Sequence, residues 1–177
     1  MSAITVRAAR LEEASALGVL AALTFPLACP EGTDPGDIAD FIANNLTPAH
    51  FTGYLSDPDA SVLVAESGAE LLGYSLTFAG PAAATGPEYK IAGSPSHYLS
   101  KLYVSARAHG SGVARELLAA TAAAAKDRGA QSLWLATNVN NARATRFYLK
   151  NGFLQRGDKL MIVGAETHRD HTFELPL

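Results

Sequence analysis

Ile4, Val6 and Ala8 alternate with polar neighbours, which predicts a strand over residues 4–8. The period then lengthens. Leu11, Leu17, Leu20 and Leu23 recur at helical spacing and predict a helix over 11–24. A turn-rich break covers 29–35, a second helix 37–46, and a short third helix 47–55, with Thr47 as cap and Pro48 at its first position. Residues 61–66 and 70–78, joined at Ser67-Gly68, read as a β-hairpin. Residues 80–96 are rich in Ala, Gly and Pro and read as a long loop of the kind that covers a site or stays disordered.

The second half continues with a strand over 97–104, a glycine-containing turn over 105–112 and a helix over 113–128. Val113, Leu117, Leu118, Thr121 and Ala125 share one face of that helix, Lys126 and Arg128 sit near its negative end, and Gly129 stops it. Residues 122–125 lack bulk, so the helix can lie close to a sheet. An apolar strand covers 132–137. Asn140 or Asn141 caps a helix reaching Lys150, which Asn151-Gly152 ends, and 153–156, 159–163 and 172–175 read as closing strand segments. The layering is mixed α/β.

The chain has 177 residues, 48% of them hydrophobic and 18% charged, which suits one domain over 1–177 and excludes a disordered chain. The net charge is −3 and the isoelectric point 5.9, so no basic footprint for nucleic acid is present, and a cationic substrate is permitted. Cys29 stands alone, which excludes an internal disulfide and fits a reducing cytoplasm. Arg7 and Arg10 precede an apolar stretch as in a signal peptide, but Glu12 and Glu13 intervene and the leucines keep helical spacing. Pro26-Leu27-Ala28-Cys29 has its leucine misplaced for a lipoprotein site. The expectation is a chain that is not exported, has no membrane partner and has no apolar run of bilayer-spanning length.

Two segments carry candidate chemistry. The turn His109-Gly110-Ser111-Gly112-Val113-Ala114 joins a strand to a helix start. Such a start offers unpaired N–H groups and a positive dipole end, and glycines leave room for a phosphate. A pyrophosphate-bearing ligand matches; a turn that only joins two elements is the level alternative. No Gly-Lys-Ser/Thr follows, so a P-loop is excluded, and the third glycine of a dinucleotide fingerprint is missing. The second segment is the helix after Asn141, where Asn141, Ala144 and Tyr148 fall on nearby faces. Tyr148 can donate a phenolic proton, with a reference pKa of about 10; taken alone, it reads first as an aromatic core residue.

Together these pieces resemble the GCN5-related N-acetyltransferase (GNAT) family. The matching residues are Lys101-Leu102-Tyr103-Val104, the 109–114 turn, Arg115-Glu116-Leu117-Leu118, the 132–137 strand, and Asn141, Ala144, Phe147, Tyr148, Gly152 and Phe153. Residues 107–112 also fit the family's Gln/Arg-x-x-Gly-x-Gly/Ala pattern, but the distance from Val104 favours a start at His109, which replaces the usual Gln or Arg. The resemblance implies a central twisted mixed sheet of about seven strands with helices on both faces. It implies acetyl-CoA as cosubstrate and no metal. The backbone of Leu102, Tyr103 and Val104 would pair with the pantetheine arm, the amides of Gly110, Ser111, Gly112, Val113 and Ala114 would hold the pyrophosphate, Asn141 would contact the pantetheine, and Tyr148 would protonate the leaving thiolate.

Thr24-Phe25, Gly73-Tyr74 and Asp170 resemble the bacterial spermidine/spermine acetyltransferase branch. Many members of that branch carry Glu where this chain has Ser100, so the base is unassigned. His97 and Tyr98, on the same strand, and Glu31 and Asp34, from the helical insert, are the candidates; a solvated strand-end histidine is the plainer reading of His97. The carboxylates of Glu31, Asp34, Asp37 and Asp40 would greet a cation or begin a helix, two readings that stand level. His168 and His171, flanking Asp170 in a turn, read as solvated rather than metal-binding. The implied activity is acetylation of a small-molecule primary amine, a polyamine first. Alternatives are a protein N-terminus, an aminoglycoside-type amine, or a non-catalytic CoA sensor. A second copy of the chain is one further expected partner.

Overall fold

The computed structural model describes residues 3–163 and 166–177. Seven strands, β1 (Ile4–Ala8), β2 (Ala60–Ser67), β3 (Glu70–Phe78), β4 (Ser96–Val104), β5 (Ser132–Asn138), β6 (Leu154–Val163) and β7 (Glu166–Pro176), form one sheet in the order β1-β2-β3-β4-β5-β7-β6. The sheet is mixed: β4 and β5 run parallel, whereas β1–β2, β5–β7 and β6–β7 are antiparallel. The helices are α1 (Ala14–Ala28), α2 (Pro35–Asn45), α3 (Pro48–Ser56), α4 (Val113–Asp127) and α5 (Ala142–Lys150). The chain clusters into two compact units, Met1–Thr77 with Ser100–Thr121, and Phe78–Leu99 with Ala122–Leu177. They are described in turn.

In the first unit, Ile4 and Val6 of β1 and Leu63 and Ala65 of β2 point to one side, as the two-residue period of strands requires. They pack with Leu72, Leu102, Val104, Ala108, Val113 and Leu117, so the start of α4 covers this face. Val62 and Val64, at the alternate positions of β2, are also buried, on the side where α3 packs. Arg7 ties β1 to β2 and to the start of the helical region, with N–H donors 2.6 Å from Glu66 and 2.7 Å from Glu13. The hydrogen bond from Arg7, opposed by burial, holds the Glu13 carboxyl down at about 2.

The caps form as the sequence predicts. Thr47 accepts from the His50 N–H, and Pro48 opens α3. Two expectations need correction. The first helix does not stop at Thr24 but runs to Ala28 with Pro26 inside its last turn, where the missing proline N–H costs one helical bond. Consequently 11–28 is a stretch of 18 residues with mean hydropathy 1.4, long and apolar enough to cross a bilayer, contrary to the expectation from sequence. In the fold its Leu17, Leu20, Ala21 and Thr24 are buried, while Val19, Leu23 and Leu27 are exposed.

In the second unit, β5 carries a continuous buried run, Ser132 to Leu135, and pairs along its whole length with β7. The expected segments 153–156 and 159–163 are one strand, β6, interrupted by a bulge between Gln155 and Asp158. The last strand is much longer than 172–175, because β6 supplies a partner from Glu166 onward. The 80–96 segment, expected to be a cover or disordered, is pinned. The backbone N–H groups of Ala92 and Gly93 donate to Glu174 Oε1 at 3.0 and 2.8 Å, and Trp134 Nε1 donates to Ala83 O at 3.1 Å. Burial works to raise the Glu174 carboxyl, but those N–H groups and Arg156 outweigh it, so the group stays ionised below its ordinary range.

Candidate functional site

The turn from β4 to α4 lies wholly in the first unit. Ser105 N–H donates to Leu72 O at 2.7 Å, a short 3₁₀ turn follows over Ala106–Ala108, and the Ser111 hydroxyl donates to Ala108 O at 2.6 Å. Gly110 and Gly112 take φ of 77° and 90°, a region that side chains disfavour. A Cβ built on either would meet nothing within 4 Å, so the space over the turn is open. The first N–H of α4 with a helical acceptor is that of Glu116, bonded to Gly112 O at 3.1 Å; the N–H groups before it belong to the helix start and face out of the ladder. Backbone donors, glycines and an open surface suit a phosphate group. His109, exposed, does not reach outward as Arg or Gln would: its Nε2 lies 3.1 Å from Val104 O.

Leu102, Tyr103 and Val104 end β4. A Cβ on Gly73 would lie 2.8 Å from Tyr103 O, so a close approach of β3 and β4 explains that glycine without any ligand. The other face of this part of β4 is aromatic. Tyr103 packs 6.1 Å from Phe25 and 5.8 Å from Tyr74; Phe25 stacks on Phe41 at 4.3 Å; Phe51 of α3 meets Tyr74 at 5.4 Å. Tyr74 is fully buried with its hydroxyl unpartnered, and burial, helped by Tyr103 and Tyr54, pushes that phenol up. Lys101 Nζ sits 5.7 Å over the Tyr54 ring and 3.1 Å from Ser100 Oγ. Burial lowers its pKa. In the sequence Lys101 has a place in a motif and no task; the fold shows its amine turned back onto Ser100. Glu31 and Asp34 are exposed. Asp34 caps α2 by accepting from Gly36 N–H at 2.7 Å, which answers the choice between cap and cation site for one of its oxygens.

In the second unit, Asn141 is the cap of α5, its Oδ1 accepting from Ala144 N–H at 3.0 Å, so what it can still offer a ligand is its NH₂. Tyr148 is half-buried, with its ring 5.2 Å from Phe147, 5.3 Å from Phe153 and 6.4 Å from Phe173. Tyr98 stacks on Trp134 at 4.4 Å. His97 departs from the solvated reading. It is 4% exposed, its Nδ1 has no partner, and burial, then the charge of Arg128, lowers its pKa. Burial alternates along this part of β4, with His97 and Leu99 buried between half-buried Ser96, Tyr98 and Ser100, so the histidine is on the covered face and not at a solvated strand end. His168 and His171 lie on β7, not in a turn. His171 Nδ1 is 3.0 Å from Asp158 Oδ1, and among the described residues no group of three or more His, Cys, Asp or Glu converges. Asp170, opposite Lys159 on β6, has its pKa raised by burial.

Residues 26–153 match the family model described as the acetyltransferase (GNAT) family. Uncharacterized N-acetyltransferases of Mycobacterium bovis and Mycobacterium tuberculosis are 37% identical over 161 residues, covering 91% of this chain and 96% of theirs. Among solved structures, the PaiA N-acetyltransferase of Thermoplasma acidophilum in complex with coenzyme A superposes with a TM-score of 0.76 at 17% identity, covering 99% of both chains. A GCN5-related N-acetyltransferase of Rhodopseudomonas palustris gives 0.72 at 19% identity, over 100% of this chain and 98% of that one.

Proposed function

Because the chain belongs to the GNAT family of acetyl-CoA-dependent N-acetyltransferases, we propose that it acetylates a primary amine of a small molecule by direct attack, with a polyamine as the acceptor. The observation that carries the donor half is the 109–114 turn, with two left-handed glycines and open space at the start of α4. Acetyl-CoA, as cosubstrate, supplies a thioester-activated acetyl group. The amides of residues 110–114 hold its pyrophosphate, the backbone of Leu102 to Val104 pairs with the pantetheine, and the Asn141 NH₂ adds a contact to that arm. Tyr148 gives its phenolic proton to the sulfur as the C–S bond breaks. His109, with Nε2 3.1 Å from Val104 O, orders the turn. The lone Cys29, without an internal disulfide partner, fits an enzyme working in a reducing cytoplasm.

The polyamine reading rests on Glu31, Asp34, Asp37 and Asp40, a run of exposed carboxylates at the start of α2. A flexible polycation engages several of them at once, and such attractions weaken as salt shortens the Debye length below about 10 Å. A steady-state panel of polyamines, aminoglycosides and short peptides tests this. Spermidine or spermine should give the highest kcat/KM, with a KM that rises with ionic strength. Glu31→Gln with Asp34→Asn should raise KM more than it lowers kcat, and Asn keeps the helix cap. If peptides or aminoglycosides are faster, the polyamine falls and acetyl transfer stands.

A further inference from the structure

An ammonium must lose a proton before its nitrogen can attack, yet Ser100 offers no carboxylate and no basic nitrogen. The titratable side chains of β4 are His97, Tyr98, Lys101 and Tyr103. His97 is sealed at the start of the strand beside the charge of Arg128. Tyr98 and Tyr103 are phenols engaged in ring contacts. Lys101 differs. Its stem turns back along the strand, and Nζ comes to rest 3.1 Å from Ser100 Oγ and over the Tyr54 ring. That ring is itself fixed, since Tyr54 Oη donates to Asn45 O at 3.1 Å.

We infer that Lys101 is the group that takes the proton from the acceptor's ammonium, its Nζ standing beside Ser100 one step before the strand segment assigned to the pantetheine. The inference rests on the acetyltransferase reading above and adds to it the missing base. Among the described residues no carboxylate pairs with Nζ; its charge is met by the Tyr54 ring face and the Ser100 hydroxyl, both uncharged. The titratable groups brought to this cluster are Tyr54 of α3, Tyr74 of β3 and Tyr103 of β4, all phenols, while α1 and α2 bring Phe25 and Phe41. Burial already disfavours charged Lys101, and an arriving cation disfavours it further, as like charges do. The neutral amine then accepts one N–H proton of the acceptor. The freed lone pair forms the C–N bond, the C–S bond breaks, the sulfur takes the Tyr148 proton, and Lys101 returns its proton to water.

The test is the pH dependence of kcat/KM with spermidine for wild type, Lys101→Met and Lys101→Arg, with the melting shift given by acetyl-CoA as the control for fold and donor binding. Methionine keeps an apolar stem. Arginine keeps the charge and the stacking on Tyr54 but does not release its proton. Wild type should show an acid limb with its midpoint below the ordinary lysine value. Both variants should keep the acetyl-CoA shift, lose that limb, and lose about 10²–10⁴-fold in kcat/KM at neutral pH. A folded variant of either kind that retains the wild-type limb and rate overturns the inference and leaves acetyl transfer intact. A wild-type protein that releases no thiol with any amine overturns the reading beneath it instead.

Discussion

A single oxygen separates tyrosine from phenylalanine, and at position 148 that atom is the proposed acid. The ring rests among Phe147, Phe153 and Phe173, and these contacts do not need the hydroxyl. Tyr148→Phe should therefore keep the fold and the acetyl-CoA melting shift while turnover drops about 10²–10⁴-fold, the range for a lost general acid. Wild-type turnover in that variant, with chemistry limiting the rate, would make Tyr148 a packing residue. At this scale the sequence was legible wherever a residue acts on its own neighbours. Thr47 and Asn141 cap the helices they precede, because a cap needs only a side-chain oxygen and the N–H groups just ahead. It favoured a solvated His97 and held no task for Lys101 or Glu174. The burial of His97, the curl of Lys101 onto Ser100, and the clamp of Glu174 on the backbone of Ala92 and Gly93 depend on contacts set by the whole fold.

At the scale of elements, the β4–turn–α4 unit is where conformation and ligand reading meet. Replacing Gly112 by alanine sets a side chain on a residue at φ 90°, which costs roughly 1–2 kcal/mol. For a chain of this size that is about 2–8 °C in Tm. Gly68, at φ 62° in the β2–β3 turn, is the matched control, also with nothing near its added Cβ. Gly68→Ala and Gly112→Ala should lose similar stability, while only Gly112→Ala weakens acetyl-CoA binding in a thermal-shift titration. Equal affinities in the two would remove the turn from the donor site. Element identity was readable from periodicity, as for β1, β3 and α4, but ends were not. The pattern could not carry α1 to Ala28, because Pro26 reads as a stop and the fold absorbs it in the last turn. It divided β6 at its bulge, since an extra residue breaks the alternation on which the reading depends.

At the scale of the whole molecule, the resemblance over 97–153 widens to a family match over 26–153 and to curated relatives spanning 96% of their own length. The mixed α/β layering was legible from element order, whereas the strand number came with the family resemblance, since the periodic pattern split β6 in two. The acceptor was not legible, since it depends on a few side chains whose placement no period encodes. Of the three features shared with the polyamine branch, Gly73 is accounted for by strand packing alone. The most direct test of the central claim mixes the purified protein with acetyl-CoA bearing an isotope-labelled acetyl group and a panel of primary amines, and follows the label by mass spectrometry together with thiol release. The account predicts labelled amide on an amine nitrogen, one acetyl per thiol released, abolished when acetyl-CoA is replaced by CoA. Acetyl-CoA that binds and stabilises the protein, yet leaves every amine unlabelled and releases no thiol above background, would contradict it and make the chain a CoA-binding sensor.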